Sequence, residues 1–190
     1  VKSDLAQIPH VRGVNNHMGS KATEDRSVMK SLMEVLKAEN LYYLDSHTSP
    51  HSMGRQTARE AAAYQRAELL FYQAHFTEAE QAYYEVTDKF PEGTWTNDAL
   101  QRALLLGENA VAPQALEPLA HALYQLRTGH RDKALAACDQ GLAQFDSTTA
   151  GAELWRVKIT LLAERGAWAE ADASLARFCA THPASRAVPA

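Results

Sequence analysis

Cysteine, surplus charge of either sign and long apolar runs are all scarce in this sequence. Only Cys138 and Cys179 occur among 190 residues, each inside an apolar helical pattern, with no CxxC pair. That excludes a disulfide framework and a zinc knuckle, and reads as two buried free thiols. The formal charge is −4, from 19 basic and 23 acidic side chains, so no strong field exists to gather nucleic acid or an anionic membrane. No stretch approaches the eighteen or so apolar residues that span a bilayer. No basic, apolar and small-residue leader opens the given chain. It begins with Val1 rather than Met, the start expected of a processed product or a fragment.

What is present is divided unevenly. With 46% hydrophobic and 22% charged residues a packed core is expected over most of the chain. Residues 1–60 carry a balance of +1, leaving −5 for residues 61–190, and four of the eight histidines lie in the first 51 positions. Two segments are expected, 1–60 and 61–190, joined near Thr57 to Ala62.

The second segment reads as helices separated by short breaks. Residues 58–74 place Ala62, Leu69 and Tyr72 on a helical period, and residues 77–90 place Ala79, Ala82, Tyr83 and Val86 on one stripe. Thr77 with Glu80 predicts a capping box, and Pro91 with Gly93 predicts the stop. Tyr64, Phe71 and Tyr72 are expected in the core rather than in a groove. The unit then recurs: residues 74–91, 129–146 and 166–183 align without gaps. Ala79, Ala134 and Ala171 hold a small-residue position, followed four places later by Tyr83, Cys138 and Leu175. A helix precedes each block, at 58–74, about 115–127 and 151–165, and an extra one is predicted over 95–107. Recurrence of this kind signals a repeat array.

At these residues the segment resembles tetratricopeptide repeats, with Trp155 where that family often carries a tryptophan. The resemblance implies stacked helical hairpins burying a continuous core, and a concave groove that takes a protein or peptide partner. The tail from Ala184 to Ala190 is expected to fray.

In the first segment, residues 11–16 (VRGVNN) read as a strand entering a loop. Residues 25–39 form a helix with a stripe of Val28, Met29, Leu32, Met33, Val35 and Leu36, and Leu41 to Leu44 a second buried strand ending at Asp45 and Ser46. This β-α-β order predicts parallel strands, with chemistry at their carboxyl ends, at Asn15, Asn16 and His17 and at Asp45, Ser46 and His47. The fold class expected is mainly α: a helical hairpin array preceded by a β-α-β fragment.

The stretches GVNNHMGSKAT (13–23) and LYYLDSHTSP (41–50) resemble the divergent polysaccharide deacetylases, bacterial envelope proteins with a distorted (β/α) barrel. The resemblance implies a periplasmic or envelope location and metal-dependent hydrolysis of N-acyl groups on sugars, zinc being the metal expected, with a polysaccharide as partner. It also implies His17 as the metal ligand, with Asn15, Asn16 and Ser20 shaping the loop beside Asp45 and Ser46. His47 and His51 match an H-[S/T]-x-x-H pattern and rank as weaker metal candidates, since Pro50 keeps the pair off a regular helix. Relatives carry an Asp-Asp pair upstream of this block, which this chain does not, so weak or no catalysis is expected here. The other reading is a noncatalytic interaction scaffold built on the repeats.

Overall fold

The sheet and its covering helix form because the chain alternates apolar strand residues with one amphipathic run. A computed structural model describes residues 5, 7–17, 19–46 and 48–183, and the tail expected to fray lies outside them. Two compact units are present, Val1–Arg66 with Tyr84–Leu100, and Ala67–Tyr83 with Gln101–Ala190. No described helix is long and apolar enough to cross a membrane.

In the first unit, β1 (Gly13–Asn15) and β2 (Tyr42–Leu44) pair in parallel, with Gly13 opposite Tyr42 and Asn15 opposite Leu44. The short α1 (Ser20–Glu24) and then α2 (Arg26–Ala38) make the crossover. Asp25 caps α2, its carboxylate accepting the amides of Ser27 at 2.8 Å and Val28 at 3.1 Å. The Val28 amide, then the Ser27 hydroxyl and amide, hold the Asp25 carboxyl below its ordinary pKa. Asn40, at φ 54°, ends the helix in the left-handed conformation. Met29 and Leu36 are fully buried, but Val28 is exposed. β2 is not the buried strand expected. Tyr42 and Leu44 are 65% and 57% exposed, because a two-stranded sheet covered by helix on one side buries only the face carrying Tyr43.

Helix α3 (Gly54–Tyr72) starts earlier than its periodicity predicts and runs unbroken through residues 57–62. The Gly54 amide bonds the Ser52 hydroxyl at 3.3 Å, a start signal hidden among loop residues. Glu60 on α3 is wholly buried. It accepts the Trp95 amide at 2.7 Å and lies 3.9 Å from Arg26, whose guanidinium also donates to the Glu92 carbonyl. Trp95 stacks against Tyr64, with Lys30 over its ring.

Helix α4 (Phe76–Lys89) begins one residue before Thr77, so the predicted capping box does not form and Thr77 sits in the first turn. Helix α5 (Thr96–Glu108) is the extra helix. The second unit continues through a 3-10 turn (Pro113–Leu116), α6 (Glu117–Arg127), α7 (Arg131–Phe145), α8 (Thr149–Glu164) and α9 (Trp168–Thr181). Successive helices α6 to α9 touch in order, and α6 also touches α8. Ala79, Ala134 and Ala171 are all buried, as their shared position predicts. The residues opening the three aligned blocks, Ala74, Gly129 and Gly166, share a left-handed backbone at φ 59°, 81° and 78°. Phe71 and Tyr83 are core, Tyr64 and Tyr72 are half-buried, and Leu69 and Leu175 are exposed.

The thiols differ. Cys138 is buried, its pKa pushed up to about 12, first by burial and then by Asp139. Cys179 is half-buried, so the expectation of two buried thiols holds for only one. A thiol reagent at neutral pH is expected to label Cys179 in the native chain and Cys138 only on unfolding. Equal native labelling rates would contradict the burial of Cys138.

Candidate functional site

Parallel strands end on the same side of a sheet, so β1 and β2 bring their carboxyl-terminal residues together. Asn16, just beyond β1, donates through Nδ2 to Asp45 Oδ1 at 3.0 Å and accepts the Ser46 amide on Oδ1 at 2.6 Å. One side chain thus holds two successive residues at the start of the neighbouring loop. Asp45 Oδ2 accepts the Ser52 hydroxyl at 2.7 Å, and Ser52 in turn takes the first amide of α3. The carboxylate is therefore fixed at both oxygens, one by each flanking element.

Behind it lies Tyr43, whose hydroxyl is buried and has no hydrogen-bond partner among the described residues. Burial, and then the charge of Asp45, raise its pKa. A Cβ at Gly54 would stand 2.9 Å from Asp45 Oδ2 and 3.2 Å from the Tyr43 ring, so only glycine lets the helix start come this close. Tyr43, Asp45, Gly54, Arg55 and Ala58 line an open cavity of about 420 Å³. The anchored Asp45 carboxylate thus stands with Tyr43 and Arg55 at one hollow. Such a set recognises a polar ligand through its hydroxyl and carbonyl groups.

The expected residues fare differently. Asn16, Asp45 and Ser46 are joined directly. Asn15 ends β1 and is exposed, and His17 is exposed in the following loop. His51 is exposed too, its amide bonded to the Ser49 hydroxyl, which itself donates to Glu24. His47 and the side chain of Ser20 lie outside the described residues, so the His47 and His51 pair has no described geometry. Among the described residues, no three His, Cys, Asp or Glu side chains are grouped to hold a metal ion. Among the described residues the candidate donors fall short of the three or so protein ligands and open position that a hydrolytic zinc takes. Sequence reasoning missed Tyr43, Ser52, Gly54 and Arg55. The signal available was Ser52-Met53-Gly54, a hydroxyl two places before a glycine at the start of a long helical run.

The family model for divergent polysaccharide deacetylase matches residues 1–82. That span contains every residue of the strand-end site and continues into α4. An uncharacterized protein, YibQ of Escherichia coli K12, is 37% identical over 59 residues, covering 31% of this chain and 18% of the relative. An uncharacterized protein of Haemophilus influenzae is 46% identical over 48 residues, covering 25% of this chain and 17% of the relative. The chain thus spans under a fifth of the length of these curated relatives. No solved structure matches.

Proposed function

We propose that the amino-terminal unit serves carbohydrate metabolism in the bacterial envelope with the scaffold of a divergent polysaccharide deacetylase, and that this chain by itself hydrolyses N-acyl sugars weakly or not at all. One observation carries the reading. Within the family-matched span, Asn16 and Ser52 fix the Asp45 carboxylate at the ends of two parallel strands, over a cavity suited to a polyhydroxyl ligand. A bound divalent metal would supply carbonyl polarisation and an activated water. The expectation of weak catalysis is supported by the described donors, with His17 exposed and Asp45 tied to amide and hydroxyl partners.

Two readouts on the full chain test this. Equilibrium dialysis against zinc is expected to give less than one bound ion per chain. Incubation with an N-acetylglucosamine oligomer and zinc is expected to release acetate no faster than buffer. Stoichiometric zinc that is lost in His17→Ala and kept in His51→Ala, with acetate release, would overturn the incomplete-site reading.

A second reading, a noncatalytic interaction scaffold of tetratricopeptide type, is supported by the recurrence of one left-handed residue and one buried alanine across three hairpins. Peptides selected on the full chain should then still bind after Asp45→Asn. A selection that enriches no peptide sinks this reading.

A further inference from the structure

Helices α6 and α7 pack against each other and, with the 3-10 turn before α6, line a cleft of about 470 Å³. Their contact is set by Gly141. A Cβ there would stand 2.6 Å from Pro118 on α6 and 2.6 Å from Leu154 on α8, so glycine is what lets α7 approach so closely. An interior glycine costs a helix about 1 kcal/mol relative to alanine, and this one is offset by close packing. On the flank of that contact, Glu117 and His121 share one face of α6 at a spacing of four. Gln140 and Gln144 share one face of α7 at the same spacing. Gln114 joins from the 3-10 turn, and Phe145 supplies a half-buried ring.

The chemistry of this lining is selective. Three primary amides and one carboxylate converge, and none of the four makes a hydrogen bond or ion pair with another described residue. His121 is turned to Gln125 at 2.9 Å. Among the described residues no lysine or arginine lines the cleft, so a phosphate, sulfate or carboxylate ligand would find no counter-charge from them. Helical peptides dock large apolar side chains at a helical repeat into apolar pockets, and here Pro118, Ala137 and Phe145 stand among five polar lining residues. A primary amide offers donor and acceptor in one plane, and three of them with a carboxylate match a ligand that presents many neutral hydroxyls. Pro118 and Phe145 provide the apolar surface that the C–H face of a pyranose ring needs.

We propose that the cleft between α6 and α7 is a binding site for a neutral oligosaccharide, held by Gln114, Glu117, Gln140 and Gln144 against Phe145. The site goes beyond the proposed function: it lies in the helical unit and stands whether or not the amino-terminal unit has any activity.

The test uses the full chain, with glucose and N-acetylglucosamine tetrasaccharides as probes, read by saturation-transfer NMR and calorimetry. At least one probe is expected to bind saturably. The double variant Gln140→Ala, Gln144→Ala is expected to weaken that binding by about tenfold or more, with an unchanged thermal midpoint, since both amides are exposed and the lost bonds are those to ligand. Asp45→Asn should leave this binding intact, which separates it from any sugar held at the strand ends. Absence of saturable binding by both probes overturns the proposal, as does affinity unchanged in the double variant or lost in Asp45→Asn alone.

Discussion

Gly151→Ala is expected to destabilise the helical unit by about 3 kcal/mol or more, although alanine is the better helix former by about 1 kcal/mol. The conflict is resolved by geometry. Gly151 lies in the first turn of α8, buried against the end of α7. An alanine Cβ there would overlap the Phe145 carbonyl oxygen and stand 2.7 Å from that of Asp146. Both are backbone atoms, so no rotamer change relieves the overlap and the helices must move apart. Asp146 cannot move freely. Its carboxylate accepts the Trp155 indole N–H at 2.6 Å and lies 3.3 Å from Arg177, and its carbonyl is 2.6 Å from the His182 ring. Separation would loosen bonds worth about 1 kcal/mol each and uncover Trp155. At about 2 to 4 °C per kcal/mol for a chain of this size, the thermal midpoint should fall by roughly 6 °C or more. Gly129→Ala and Gly166→Ala are the controls. Each has positive φ and open space around it, so only backbone strain of about 1 to 2 kcal/mol is expected. A Gly151→Ala midpoint at or above the parent value would refute the close approach of α7 and α8.

These residues show how far sequence carries the fold. The alanine positions 79, 134 and 171 are legible because a small residue at a fixed place in three aligned blocks leaves a pattern, and burial of all three follows. Gly151 left no such mark: in sequence it is a glycine inside a helical run, and only the neighbouring carbonyls explain it. The same limit applies at the strand ends. Asn16 and Asp45 were readable because strand order places them side by side. Tyr43 was read as one more apolar strand residue, since nothing local distinguishes a buried unpaired hydroxyl from a satisfied one. The exposure of Tyr42 and Leu44 was likewise invisible. Alternation tells which side chains share a face, but not whether anything covers it.

The other large effect is expected at Glu68. This α3 carboxylate is buried in the helical unit, accepting the Tyr83 hydroxyl at 2.5 Å on Oε1 and the Tyr72 hydroxyl at 2.6 Å on Oε2. Arg102 lies 3.5 Å from Oε1, and its guanidinium covers the Phe71 ring. Glu68→Ala would take the anionic acceptor from the fully buried Tyr83 hydroxyl and the neighbouring carboxylate from the largely buried Arg102 guanidinium, so a loss of about 3 to 5 kcal/mol is expected. Glu68→Gln keeps one acceptor and the shape, and should cost about 1 to 3 kcal/mol. Tyr83→Phe removes a single donor and should cost less again. That ordering separates a charge-centred network from simple packing, which would make Gln nearly silent and Tyr83→Phe the same. Alkali supplies an independent check. Burial first, and then the Glu68 charge, raise the Tyr72 pKa above its ordinary 10. A raised pKa in the folded chain stabilises fully below the unfolded value and loses that contribution as pH climbs through the folded one. Urea midpoints of the parent chain should therefore hold steady through neutral pH, while the Tyr72 contribution fades only above about 10. In Glu68→Ala the Tyr72 phenol loses the anion that helps hold its proton, so its absorbance titration should shift to lower pH. A titration that does not move would show that the Glu68 charge does not act on Tyr72.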